Sequence, residues 1–366
     1  MNLPRCAKCG LPRHLSSGYV WPGNGTVFSR RDPQTRMVIF ESEYYPYLWN
    51  ELQERLGVEI SETYIRGQKA SVLDYLGKNV LYGWRLALVR KLPFSFVIGR
   101  IIRILSLFGF GRLEFVEYRR GRLVLLRLTN PFDILSLAWG VKGFSEMVNN
   151  FPFEVGWVRE EDGYLLTASR LPPGREGEPL DEKAVAAMRR AKEELAEVKA
   201  DFEGQGMELR RCPRCRLPEA LTRLEWKEED GAIYNRADGK RMIFSTGYVM
   251  VGIVNELERV TGERLERHVL EITKNYHLKG LRGMPERERA DAYRELFFQL
   301  SAWGYGLPLQ YSFGAGHLEA TIGNPFYVPR LLGNVAAVFE SLEGQESEIT
   351  YRRPQPYLLE LEIKTA

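Results

Sequence analysis

The chain is poor in the residues that usually carry chemistry. Its 366 residues include four cysteines and four histidines. The histidines, His14, His268, His277 and His317, are scattered and share no repeated setting. There is no Gly-x-Ser-x-Gly elbow, no phosphate-binding loop and no His-Glu-x-x-His pair. No residue set therefore supports a catalytic mechanism, and the chain reads as a binding protein rather than an enzyme. Long uncharged apolar runs are also missing. The nearest candidate, Leu92 to Phe110, carries Arg100 and Arg103, which argues against a spanning helix. The opening residues Met1-Asn2-Leu3-Pro4-Arg5 lack the charged-then-apolar pattern of an export signal, so a cytoplasmic, reducing setting is expected. There, Cys-x-x-Cys reads as a metal or redox pair rather than a disulfide. Charge of one sign is scarce too. A formal net charge of +3 is too small an excess for bulk nucleic-acid binding.

What the sequence does contain is repetition. Cys6-Ala-Lys-Cys9-Gly-Leu11-Pro12 reappears as Cys212-Pro-Arg-Cys215-Arg-Leu217-Pro218. Trp21 pairs with Trp226, Arg36-Met37 with Arg241-Met242, and Asn50-Glu51-Leu52 with Asn255-Glu256-Leu257. Further on, Gly109-Phe-Gly111-Arg-Leu113-Glu114 matches Gly314-Ala-Gly316-His-Leu318-Glu319, and Asn130-Pro131-Phe132 matches Asn324-Pro325-Phe326. The offset is about 205 residues through the Gly-x-Gly and about 194 after it. The order never breaks, which points to an internal duplication. Residues 1–175 and 206–366 are expected to be two modules related by pseudo-twofold symmetry, with 176–205 as a charged linker. In that linker a helix is expected from Asp181 to Phe202, with Met188, Ala191, Leu195, Val198 and Phe202 as a narrow apolar seam.

Within one copy, a knuckle leads to short extended segments near Val27 and Met37–Phe40. A helix follows over Tyr47–Leu56, capped by Gly57. Further helices occupy residues 67 to 107. Strands are expected at Leu113–Tyr118, Leu123–Leu128, Val155–Val158 and Tyr164–Ala168, with a helix at Leu135–Val148 between the two pairs. Helices and strands segregate instead of alternating, so the fold class is α+β with antiparallel sheets.

The carrying residues of a family resemblance lie in the second part of each copy. They are Gly109-Phe-Gly111-Arg-Leu-Glu114, Asn130-Pro-Phe and Gly140-Val-Lys-Gly143-Phe-Ser-Glu146, repeated as Gly314-Ala-Gly316-His-Leu-Glu319, Asn324-Pro-Phe, Gly333 and Phe339-Glu340. This part resembles the 4-vinyl reductase, or hydrocarbon-binding, domain family. The resemblance implies a mixed α/β module with an apolar cavity for small molecules, similar in fold to nitric-oxide-sensing haem domains and to a TRAPP vesicle-tethering subunit. It does not imply reductase chemistry. Family members often carry a cysteine cluster in the closing strands. Gly163–Ser169 and Pro356–Lys364 contain no cysteine, so that metal site does not carry over.

The cysteines are the strongest chemical signal. One knuckle supplies two ligands, and a structural zinc site takes four. If the copies pack face to face, Cys6, Cys9, Cys212 and Cys215 form one shared zinc site. The alternatives are two half-sites completed by other side chains or a second chain, reduced structural thiols, or a redox-active pair. The surfaces of the copies also differ. Residues 85 to 128 are strongly basic and include Arg100, Arg103, Arg119 and Arg120, candidates for contact with an anionic lipid surface. The corresponding stretch of the second copy carries Phe297, Phe298, Trp303, Tyr305, Tyr311 and Phe313 instead, candidates for lining a site for a small hydrophobic or partly anionic ligand. Binding of such a ligand, as sensor or carrier, is the expected function. A membrane-peripheral scaffold or adaptor using the basic face is the alternative.

Overall fold

The computed structural model describes residues 4–366 apart from 82–83, 91–93, 173, 176–180, 198–199, 203 and 282–287. In the first half, α1 (Arg13–Gly18), β1 (Tyr19–Val20), β2 (Phe28–Ser29) and β3 (Met37–Glu41) lead into α2 (Tyr44–Leu56). Then come α3 (Ser61–Tyr75), a π-helical turn at Leu76–Val80, α4 (Trp84–Val89) and α5 (Phe94–Leu107). The half closes with β4 (Arg112–Arg119), β5 (Leu123–Thr129), α6 (Ile134–Asn149), β6 (Phe153–Glu160) and β7 (Gly163–Arg170). After α7 (Glu182–Glu197) the pattern returns. A 3₁₀ turn at Glu219–Arg223 precedes β8 (Leu224–Lys227), β9 (Ala232–Asn235), β10 (Arg241–Thr246) and α8 (Gly247–Thr261). The second half ends with α9 (Glu266–Leu281), α10 (Arg289–Ala302), β11 (Leu307–Gly314), β12 (His317–Gly323), α11 (Val328–Glu343), β13 (Ser347–Gln355) and β14 (Leu358–Thr365).

The fold is α+β with antiparallel sheets. Two four-stranded sheets share one topology, β4-β5-β7-β6 and β11-β12-β14-β13. A third is shared between the halves in the order β3-β10-β9-β8. At one end of it β3 and β10 pair antiparallel, with Met242 opposite Glu41 and Thr246 opposite Met37. Met37, Val38, Ile39 and Phe40 are all buried. A continuous apolar run of this length is what a strand covered on both faces requires.

The contacts between halves come in matched pairs. Trp21 Nε1 donates to Ala302 O (3.1 Å), and Trp226 Nε1 donates to Leu107 O (3.0 Å), each acceptor standing at the end of the helix before a Gly-x-Gly. Arg36 donates to the carbonyls of Gly304, Asn324 and Pro325. Arg241 donates to those of Gly109, Asn130 and Pro131. A Cβ on Gly25 would lie 2.1 Å from Gly306 C, and one on Gly231 would lie 2.3 Å from Gly111 C. So the first strands of each half, with the turns between them, pack on the closing helices and sheet of the other. α2 follows the same rule, with Tyr44 OH and Thr273 Oγ1 of α9 hydrogen-bonded at 2.7 Å.

These contacts move one correspondence. α5 runs through Gly109-Phe110-Gly111 into β4, and α10 runs through Gly304-Tyr305-Gly306 into β11. The Gly314–Gly316 pair, expected at this junction, instead closes the β11–β12 hairpin. Gly109 (φ 80°) and Gly304 (φ 90°) are the true counterparts. A Cβ would lie 2.7 Å from Met242 O at the first and 2.6 Å from Met37 O at the second, so a close backbone approach fixes both as glycine. The short Gly-x-Gly match on sequence was drawn to the wrong glycines because both turns are glycine-rich.

α7 is shorter than the expected Asp181–Phe202 helix. Val198 lies outside the described residues, and Phe202 lies beyond the helix, against Gly323. Nor is α7 a mere tether. Ala184, Met188, Ala191 and Leu195 are buried between α3 and α8, with Met188 against both Gly67 and Gly252. Lys192, 2 % exposed, is ion-paired with Asp32 and with Asp74 (2.6 Å). No described helix is long and apolar enough to cross a membrane.

Candidate metal centre and ligand cavities

Both knuckles are built alike. In the first, Cys6 N donates to Leu11 O (2.8 Å) and Gly10 N to Cys6 O (2.8 Å). In the second, Cys212 N donates to Leu217 O and Arg216 N to Cys212 O, both at 2.9 Å. Each turn needs a left-handed residue. Gly10 supplies it at φ 75°, and Arg216 does so at φ 63°. Leu11, Leu15, Leu217 and Leu221 bury against each other under the turns and press the two knuckles together.

All four sulfurs come within 4.8 Å of one another. Cys6 and Cys212 lie 3.9 Å apart, Cys9 and Cys215 3.5 Å. Sulfurs about 2.3 Å from a central tetrahedral ion would be about 3.8 Å apart, so the donor set fits one metal ion without rearrangement. The thiols differ in acidity. Backbone N–H bonds from Cys9 and Lys8 bring Cys6 down to about 6, and similar bonds from Cys215 and Arg214 lower Cys212. Burial pushes Cys9 up to about 12 and raises Cys215. Each knuckle thus pairs one thiol made more acidic with one made less acidic.

Two cavities occupy corresponding places in the halves. The first, about 130 Å³, is lined mostly by apolar side chains of α3, α5 and α6, among them Val72, Ile101, Leu105 and Phe144. Ile243 and Val249 of the second half complete it. Polar groups are few. Gln68 Nε2 donates to Tyr45 OH (2.5 Å), and Ser136 lies against Asp133 and Tyr64. The second cavity, about 1420 Å³, is lined from α9, α10 and α11, with Phe40 and Glu41 contributed by the first half.

Of the six aromatic candidates, Trp303, Tyr305 and Phe313 line the second cavity. The other three do not. Phe297 is fully buried and stacks on Tyr311 with ring centroids 4.7 Å apart, so both pack inside the module. Phe298 lies under the Arg223 guanidinium at 5.1 Å. The basic candidates are dispersed. Arg103 is exposed on α5, and Arg100 lies on the same helix with its side chain outside those described. Arg119 pairs with Glu117 (2.6 Å), and Arg120 donates to the Arg90 carbonyl. A basic recess instead gathers Arg90, Arg120, Arg122 and Arg170, the last 3.8 Å from the Phe151 ring centroid.

Comparison with family models, curated proteins and solved structures found no match. The 4-vinyl reductase resemblance therefore rests on its short motifs alone.

Some site residues escaped the sequence reading. Lys69 pairs with Glu146 and Lys274 with Glu340, each at 3.0 Å and largely buried, tying α3 to α6 and α9 to α11. Arg330 of the second cavity also went unremarked, and His277 was noted only as one of four scattered histidines. The signal that finds them is the difference between corresponding helix positions. Arg330 is third in α11, where α6 has Ser136. His277 stands in α9 where α3 has Val72.

Proposed function

We propose that this protein binds small apolar molecules in cavities inside a duplicated α+β scaffold held together by one structural zinc ion. The observation that carries the reading is the almost wholly apolar cavity of about 130 Å³ between α3, α5 and α6. Apolar cavities near this size stay dry and accept small aromatic hydrocarbons. Four thiolates leave no open position for water, so a metal at the cysteine cluster is structural, and zinc suits that donor set. Matched contacts support the duplication, and each cavity takes one wall from the opposite half. Clamping the knuckles therefore fixes both cavities.

The test is the thermal midpoint of the metal-loaded protein with saturating toluene. A rise is expected in the natural protein and none in Gly140→Leu, whose added side chain fills the cavity beside Val72. Equal responses in the two proteins, or none in either, would remove the reading.

A second reading, a peripheral adaptor on an anionic surface, draws on the arginine recess and on Trp84 and Leu88, which stand 69 % and 40 % exposed on α4 nearby. Co-sedimentation with phosphatidylserine vesicles, lost on changing Arg120 and Arg122 to Ser, supports it. No sedimentation at low salt removes it.

A further inference from the structure

The two cavities occupy corresponding places yet differ in chemistry, and the difference centres on one side chain. Arg330 is 1 % exposed and lines the second cavity. Its guanidinium carbon lies 4.0 Å from the Tyr44 ring centroid, 4.5 Å from that of Phe40 and 5.3 Å from that of Tyr305. Its one hydrogen bond runs from Nη1 to the thioether of Met250 at 3.5 Å, and Nε has none. Among the described residues no carboxylate pairs with it. Three aromatic faces favour a cation, but they do not replace the oxygen acceptors that a desolvated guanidinium loses.

The surroundings leave that charge uncompensated. Five acids line this cavity, and none of them reaches Arg330: Glu41 is held by Lys240 at 3.0 and 3.1 Å, Asp291 pairs with Arg294 and Glu295 with Arg223, while Asp238 and Glu288 complete the set. His277 stands half-buried against the site. Its Nδ1 lies 3.8 Å from Glu41, while its Nε2 atom is buried with no hydrogen-bond partner among the described residues. Nor does the fold demand a cation at this position. Ser136 fills the third position of α6, Val72 stands where His277 does, and Gly140 stands where α11 places Asn334. The first half builds the same helices and the same sheet order without them.

We propose that the second cavity binds an aromatic or apolar molecule carrying one oxyanion group, a carboxylate or a phosphate, with Arg330 as its counter-ion and His277 Nε2–H as a second donor. The aromatic walls, Phe40, Trp303 and Tyr305, take the apolar body. The idea rests on the ligand-binding reading above and deepens it for this half. An unpaired buried cation that a ligand completes costs stability while the site is empty.

The test is titration calorimetry on the full, metal-loaded chain with 2-naphthoate and with uncharged 2-naphthylmethanol. The natural protein should bind naphthoate at least tenfold more tightly. Arg330→Met should bring naphthoate down to the affinity of the alcohol and leave the alcohol unchanged, while the free protein's thermal midpoint stays level or rises. Arg330→Lys should keep part of the preference. His277→Val, which installs the first half's residue, should weaken naphthoate alone by a few-fold. Equal affinities in the natural protein, or equal losses for both probes in Arg330→Met, would overturn the anion site and leave apolar binding standing. A large fall in the midpoint of Arg330→Met would make Arg330 a structural cation and overturn it as well. If neither probe binds, the anion site fails, while the toluene response of the first cavity decides the broader reading separately.

Discussion

At the residue scale, Arg36 and Arg241 do the same work. Each guanidinium spends its hydrogen bonds on three backbone carbonyls of the opposite half's Gly-x-Gly and Asn-Pro-Phe turns. Burial lowers the Arg36 pKa to about 9, still charged at neutral pH. Arg36→Met should destabilise the protein by at least about 3 kcal/mol in denaturant titration, because three buried acceptors lose their donors. Gly25→Ala and Gly231→Ala should each reduce soluble yield sharply, since both add a Cβ onto backbone at a positive φ. His277 gives a pH signature. Burial brings its pKa from 6.5 down to about 4. The unfolded chain takes up a proton near 6.5 that the folded chain refuses until about 4. Stability present above 6.5 should therefore fall by up to about 3 kcal/mol as the pH drops through that window. Thermal midpoints of the natural protein and His277→Gln, compared across pH 4 to 7, check this; a slope unchanged in the variant would refute it.

At the element scale, α7 decides how the halves sit together. The narrow apolar seam was visible in the sequence, but Lys192 within it was not remarkable there. In the structure that lysine is the only link from α7 to Asp32 and Asp74 among the ion pairs described. Burial alone would raise the Asp32 pKa. Hydrogen bonds from Lys192 and Thr35 outweigh it and hold the carboxyl below its ordinary 3.8. That contribution is complete above 3.8 and is lost as the pH falls through the lowered value. Lys192→Met leaves Asp32 without its ion-pair partner and Asp74 with Lys78 alone, and should cost about 3–5 kcal/mol. Urea midpoints at neutral pH measure it, and a change below about 1 kcal/mol would mean the pair is not needed.

At the scale of the whole molecule, the exchange of N-terminal segments matters most. β3 and α2 cover the second half's closing elements, so neither half completes its own cavity. Residues 1–175 expressed alone should be oligomeric or insoluble in size-exclusion chromatography, whereas a folded monomer would contradict the exchange. Metal content offers a parallel check. One zinc per chain is expected, with four thiols becoming reactive together after chelation and with a loss of stability. Two metals per chain, or four free thiols without chelation, would remove the shared clamp.

Much of this was legible from residue order. The knuckles, the Gly57 cap (φ 63°), the strand pairs and the α6 helix follow from local chemistry, namely turn residues, periodicity and capping. The repetition could be read because matching residues recur in unbroken order. Which half covers which could not, because pairing β3 with β10 satisfies the same backbone groups whichever copy supplies the strand. Nor could the choice between Gly304 and Gly314, which depends on a backbone approach from a segment some 260 residues away in sequence. The meeting of the four cysteines and the isolation of the Arg330 charge belong to tertiary structure for one physical reason. Distance and burial between residues far apart in sequence are set by packing, and a residue's identity carries no record of which partners packing leaves it without.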